Sequence, residues 1–321
     1  MLHNPAVSPP RSRPAWGRLL RVGFLVLVVA LAVVWVYVKR HQVGQAWGRV
    51  SVWPVLGAVT LAAIGAWTGA PAWRDLLAGL GSRLTMKDAQ RVFLVGQLGK
   101  YIPGGVWTVF AQATMARELE VPKARSGTAS LMSIVLSAVT SATMGAILLL
   151  ITGRDVLGHY GFALLLALPL LALLHPDVLV WAGRIASKWT GRSVPLQRIP
   201  ETALLSAAGW LVAGSVFNGL QVYLLAGSIG GHYPPVLLVI GLFAFAAAAG
   251  LMVPISPAGA GVRELILVFG LSRFMDSGSA LLVVLMARLV MTVADFGLAG
   301  AGAAVGHRRR VAPASSPSAT T

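Results

Sequence analysis

The chain has 321 residues, 56% of them hydrophobic and only 11% charged, with a mean hydropathy of +0.77. Soluble domains are about 25% charged, so this composition excludes an ordinary soluble globule and points to an all-α polytopic membrane protein. The absence of cysteine excludes disulfides, zinc thiolates and iron–sulfur clusters, and the net charge of +16 comes from Lys and Arg gathered in short loops, the pattern of cytoplasmic loops rather than of nucleic-acid contact.

In chain order, residues 1–21 form a basic, Pro-rich tail expected to be disordered and cytoplasmic. An apolar run over 22–38 predicts a retained first helix, because Lys39-Arg40-His41 follows it where a cleavable signal would carry small residues. A span is expected over 54–73, then a cytoplasmic loop over 74–91 with Arg74, Arg83, Lys87 and Arg91. Residues 84–117 contain two apolar pieces, each far short of the roughly 20 residues needed to cross a bilayer, around Pro103-Gly104-Gly105. They predict a re-entrant hairpin. Spans are expected over 126–151 and 159–183, and a basic loop with Arg184, Lys188, Arg192 and Arg198 follows. From Thr202 to Val262 no Asp, Glu, Lys or Arg occurs in 61 residues, which suits a span over 202–228 and a second hairpin over 236–272. The last span is expected over 279–305, before a basic tail over 306–321.

With both termini cytoplasmic, 18 of the 26 Lys and Arg lie inside, five lie outside, and Lys100, Arg263 and Arg288 lie at membrane depth. That bias follows the positive-inside rule. The expected architecture is therefore six full spans and two opposed re-entrant hairpins in one transmembrane unit over 22–305. Its halves, 54–151 and 202–305, are inverted copies in element order, the usual plan of secondary transporters.

Two stretches could carry chemistry, Gln97-Leu-Gly-Lys-Tyr-Ile-Pro-Gly-Gly-Val-Trp107 and Pro254-Ile-Ser-Pro-Ala-Gly-Ala-Gly-Val-Arg-Glu264. Irregular backbone at membrane depth survives only where protein or a watery cavity satisfies its polar groups. The half-helix that follows each break offers unpaired N–H groups and its positive dipole end, which favour phosphate or carboxylate. Lys100 and Arg263 add full charges, so the pair reads as a site for an anionic headgroup or lipid phosphate. The alternatives are that Lys100 snorkels to the surface and Arg263 pairs with a local carboxylate. Glu264 either caps its half-helix or takes part in function. Arg288 and Asp295, seven apart on one helix face, read as an interhelical network that could meet Glu264 or Arg263. Gln97, Gln112, Asn218, Gln221 and Tyr223 read as polar glue between helices. The six His are scattered, and no metal, phosphate-loop or paired-acid spacing occurs, so neither catalysis nor a cofactor is expected.

At Leu98-Gly-Lys-Tyr-Ile-Pro-Gly-Gly-Val-Trp107 and Pro257-Ala-Gly-Ala-Gly-Val-Arg-Glu264 the sequence resembles the flippase-like membrane region of lysylphosphatidylglycerol synthases and its stand-alone relatives. The resemblance implies a multi-pass cell-membrane protein that moves, or helps to move, a lipid between leaflets. It carries over Lys100, Tyr101, Pro103, Gly104, Trp107, Pro257, Gly259, Gly261, Arg263 and Glu264, with Gly105 completing the first tip. The second motif departs at Ala258 and Ala260, where glycine would be expected. The soluble aminoacyl-transferring domain is not among these residues, so lysyl transfer is not implied. The alternative is a non-transporting subunit that anchors or presents lipid to a lipid-modifying or glycosyltransferase partner.

Overall fold

The computed structural model describes residues 34, 37–38, 40–102, 106–152, 199–252, 259 and 261–311. The tip residues Pro103, Gly104, Gly105 and Pro257, most of the first helix, the span expected over 159–183 and the basic loop after it lie outside the described residues. Every regular element among the described residues is a helix.

A short α1 (Arg40–Trp47) stands where the sequence suggested a loop. α2 (Val52–Trp67) and α3 (Gly69–Gly79) make one apolar rod of 28 residues, bent at Thr68. Pro71 has no N–H to give to Trp67 O, an ordinary cause of a kink, and Thr68 Oγ1 donates to Gly65 O at 2.8 Å within the bend. The rod runs on through Arg74 and Asp75, so the loop expected over 74–91 shrinks to residues 80–85. Both charges are satisfied there. Arg74 Nε donates to Leu84 O at 3.0 Å, and Asp75 Oδ2 accepts from Ser206 Oγ at 2.6 Å. Between them and the bend, Trp73 is fully buried, and its indole N–H donates to Ser130 Oγ at 3.1 Å.

α4 (Met86–Gln97) starts at a Thr85 cap, whose Oγ1 accepts the Asp88 N–H at 3.2 Å. It tightens into a 3₁₀ turn, Leu98–Tyr101, before the break, and α5 (Trp107–Arg117) follows. α6 (Lys123–Thr152) and α7 (Glu201–Gly230) are long apolar helices. α8 (Val236–Leu251) and α9 (Val262–Leu271) flank the second break, and α10 (Ser277–Val311) runs past the expected end at 305. The α2–α3 rod, α6, α7 and α10 are each long and apolar enough to cross a membrane. The chain is a multi-pass membrane protein.

The two halves share an element order: a long rod, a short helix, a break, a second short helix and a final long helix. They also exchange partners. α4 packs on α10, and α8 packs on α6, so the first arm of each short pair lies against the last helix of the other half. α2 and α3 pack on α7, which joins the two rods. Two cores form and each draws on both halves: one gathers Trp73, Leu76, Val92 and Phe93 with Leu204 and Ala207 of α7, the other Leu225, Leu242, Phe243 and Leu271 with Ala58 and Ala62 of α2 and Leu149 of α6.

Asp276 caps α10. Its carboxylate accepts the N–H groups of Gly278 and Ser279 at 3.0 Å each and the Ser279 hydroxyl at 2.6 Å. Burial pushes this carboxyl up, but the Ser279 and Gly278 donors, with Arg49 nearby, outweigh it and hold it below the usual range. A lowered folded-state value means the cap's contribution is full above the ordinary carboxylate value of about 4 and is lost as pH falls through the lower folded value. Asp276→Ala should therefore destabilise the protein by about 1 kcal/mol at pH 7. The gap from wild type should narrow as pH falls below the ordinary carboxylate value of about 4, as read by thermal unfolding in detergent.

Candidate functional site

α10 carries Arg288, Thr292 and Asp295 at spacings of four and three, which places them on one face over about 10 Å of helix. Thr292 Oγ1 donates back to Arg288 O at 2.9 Å, so that face carries a charge at each end and a tied-down hydroxyl between. Each end meets one of the two breaks. Toward the first, Asp295 Oδ2 lies 2.6 Å from Lys100 Nζ and accepts the Tyr101 hydroxyl at 2.6 Å. The Tyr101 ring stacks on Phe296, one residue further along, with centroids 5.6 Å apart. Toward the second, Glu264 Oε1 accepts from Arg288 at 2.6 Å and from Arg263 at 3.1 Å, while Glu264 Oε2 accepts the Gly261 N–H at 2.6 Å.

The 3₁₀ turn makes the first contact set possible. With three residues per turn it brings Lys100 and Tyr101 past the end of α4 and onto α10, where a continued α-helix would rotate them differently. At the second break, Gly261 has φ of +95°, a region closed to most side chains. That turn sets the Gly261 N–H above its own helix, where the carboxylate three residues on can reach it. Glu264 therefore does cap α9, as one sequence reading proposed, and pairs with both arginines as well. Arg263 and Glu264, adjacent and so about 100° apart around α9, still meet, with Arg263 Nη2 3.1 Å from Glu264 Oε1.

Both breaks are also closed by glycine against backbone. A Cβ at Gly99 would stand 2.5 Å from Thr108 N on α5. At the second break, a Cβ at Gly250 would stand 3.2 Å from Gly259 Cα, and Gly259 itself has φ of +71°. Close approach of the two arms is what the small residues allow.

Lys100, Tyr101, Arg263, Glu264, Arg288 and Asp295 are thus brought together along one helix face, and Gly259 and Gly261 shape the turn beside them. Trp107 is 44% exposed, with its ring edge-on to Phe110. Gln112 Oε1 lies 2.5 Å from Ser130 Oγ, the same oxygen that accepts the Trp73 N–H, so Gln112 joins α5, α6 and α3 as expected of polar glue. Sequence reasoning missed Gly99, Gly250, Thr292 and Phe296. The first two were legible as glycines one to four residues before the flagged motif residues. Thr292 was legible from its spacing of four from Arg288.

Charge makes the cluster unusual. Three cations and two carboxylates leave a net +1 among the described residues. A single charge at bilayer depth costs at least about 2.5–3.5 kcal/mol, and such groups persist where they pair or face a cavity.

No match was found among curated proteins. Residues 22–299, most of the chain, match the family described as lysylphosphatidylglycerol synthase TM region, and the chain belongs to that family.

Proposed function

We propose that the protein moves a lipid with an anionic phosphate headgroup between membrane leaflets, and that the headgroup passes between the two breaks beside α10. The observation that carries this reading is the cluster of three cations and two carboxylates, set at two helix breaks of a chain whose family is tied to membrane lipid. Broken short helices in matching places of two halves are a pointer to a transport site, and their exchanged packing supports a repeat. In this reading the hairpins are re-entrant, the halves are inverted, and Lys100 and Arg263 hold the phosphate by charge-assisted hydrogen bonds of about 1.5–3 kcal/mol each.

Labelled lipid in proteoliposomes tests it. Lys100→Gln and Arg263→Gln should each weaken anionic-lipid binding roughly tenfold to a hundredfold and slow leaflet exchange. Arg263→Lys should recover only part, because an ammonium lacks the planar fork. Unchanged binding in both neutralised variants would sink the reading. The pairing of all three cations with carboxylates favours a second reading, in which the cluster is a static clamp and the protein presents lipid to a partner enzyme. Under that reading Arg263→Gln/Glu264→Gln restores stability lost in the single variants, and wild type exchanges no lipid.

The orientation is N-in, C-in. Because the chain lacks cysteine, single cysteines at Ser12, Ser193 and Ser316 should label only from the cytoplasm, and at Ser228 and Ser277 only from outside. Labelling of position 316 from outside would overturn the layout and the inverted repeat with it.

A further inference from the structure

The contact between Lys100 and Asp295 joins a fixed carboxylate to a cation with room to move. Asp295, on α10, is only 7% exposed, whereas the Lys100 side chain, on the 3₁₀ turn at the first break, is 29% exposed. Asp295 Oδ2 receives both the ammonium and the Tyr101 hydroxyl at 2.6 Å. Tyr101 has anchors of its own: its ring stacks on Phe296, and its hydroxyl lies 3.4 Å from Thr292 Oγ1. Lys100 is a point charge on a flexible four-carbon stem. It is the member of the trio that can leave.

Its departure falls on Asp295. A buried carboxylate that loses its cation is strongly disfavoured, and such a group neutralises by taking up a proton instead. The protonated acid keeps its place, because it still has an oxygen to accept the Tyr101 hydroxyl and gains one O–H to give. Ionisable side chains at membrane depth mark ion and proton pathways for this reason.

Other titratable groups approach α10 along its length. α10 itself carries Arg288 about two turns before Asp295 and His307 about three turns after it. α9 brings Arg263 and Glu264 to the Arg288 end. α4 brings Arg91 beside Gly302, about two turns beyond Asp295, and carries Lys87 and Asp88 in its first turn. α1, with Arg40 and His41, meets α10 at Gly278 through Gln42. α2 has no titratable residue, and α7 has Glu201 at its first position and Tyr223, whose ring lies on Tyr233. Among the described residues, Lys100 is the cation that touches Asp295.

Resting on the lipid-transport reading above, we infer that Asp295 is a proton-coupling site. It takes one proton from water as Lys100 turns to the lipid phosphate, and returns it as the phosphate leaves and the ion pair forms again. The O–H bond on the carboxyl is the only bond made or broken. Proton and lipid are then held together and cross together, so a proton gradient drives lipid toward the alkaline side. The coupling is reciprocal: protons favour lipid binding by the factor by which lipid favours proton binding.

Calorimetry with dihexanoyl phosphatidylglycerol below its micelle concentration tests the binding step in purified protein. This probe carries one fixed negative charge across pH 6 to 8, so a proton taken up on binding goes to the protein. In buffers of different ionisation enthalpy at pH 7, wild type should take up roughly half to one proton per lipid. Affinity should then rise roughly threefold to tenfold for each unit fall in pH between 8 and 6. Asp295→Asn, neutral at every pH, should bind with neither uptake nor slope. The wild-type readouts need no substitution, so they decide even where that variant does not fold.

Proteoliposomes with fluorescent phosphatidylglycerol test the transport step. With the outside acidic, wild type should gather label in the inner leaflet beyond protein-free vesicles under the same gradient, and Asp295→Asn should only equilibrate it. Binding without proton uptake, uptake that survives in Asp295→Asn, or exchange blind to the gradient overturns the proton coupling and leaves the lipid-transport reading standing. If wild type neither binds nor exchanges the lipid at any pH from 6 to 8, both fall together.

Discussion

Gly99→Leu should leave no folded, lipid-binding protein, and Gly99→Ala alone should destabilise it by about 1–3 kcal/mol, the range for overpacking a tight interior. A Cβ at this position would stand 2.5 Å from Thr108 N, 2.7 Å from Trp107 C and 2.8 Å from Thr108 Cα. All three are backbone atoms of the second arm or its first residue, so no rotamer change relieves the clash. The arms must part. Lys100 is the next residue, and parting the arms pulls it from Asp295, so a packing fault here reaches the charge cluster directly. Gly209→Ala on α7 is the control. A Cβ there meets nothing within 4 Å, so that substitution should be neutral or gain up to about 1 kcal/mol from helix propensity. Thermal unfolding in detergent compares the two at matched expression. If Gly99→Ala unfolds together with Gly209→Ala, the first break is not closed by backbone contact.

What the sequence could disclose divides along physical lines. Long uncharged runs and short interrupted ones follow from the bilayer's demand for internally bonded backbone, so α6, α7, α10 and both breaks are where composition places them. The 74–79 turn of α3 was hidden because Arg74, with Arg83, Lys87 and Arg91 after it, read as a loop charge. Only the fold supplies Leu84 O and Ser206 Oγ, the groups that let a charged turn continue as helix. In the cluster, the spacing of Arg288 and Asp295 was legible as a common face, and so was the cap on α9. Which acid meets which cation was not legible, because it depends on α4 packing against α10, a contact between halves of the chain nearly 200 residues apart.

Glu264→Gln should destabilise the protein by about 3 kcal/mol, the lower end of the 3–5 kcal/mol range for breaking a buried ion pair from one side. The lower end applies because Glu264 is 20% exposed and Arg288 27%, which lets water recover part of the loss. The change keeps the shape of the side chain and an oxygen that can still accept from Gly261, so loss of the cap is minor. What it removes is the negative charge that Arg263 and Arg288 share, so the two guanidiniums then repel each other beside the Gly261 turn. Removing one of those guanidiniums as well should restore most of the stability. Glu264→Gln/Arg288→Gln is accordingly expected to be more stable than the sum of its single variants by at least about 1.5 kcal/mol, well beyond the few tenths by which independent sites depart from additivity. The looser pair of Arg91 and the exposed Glu118, 3.9 Å apart, gives the scale for comparison: Glu118→Gln should move stability by less than about 1 kcal/mol. If the Glu264 double-mutant cycle were additive, the 2.6 Å contact between α9 and α10 would contribute nothing to the fold, and the second break would have to be held by glycine packing alone.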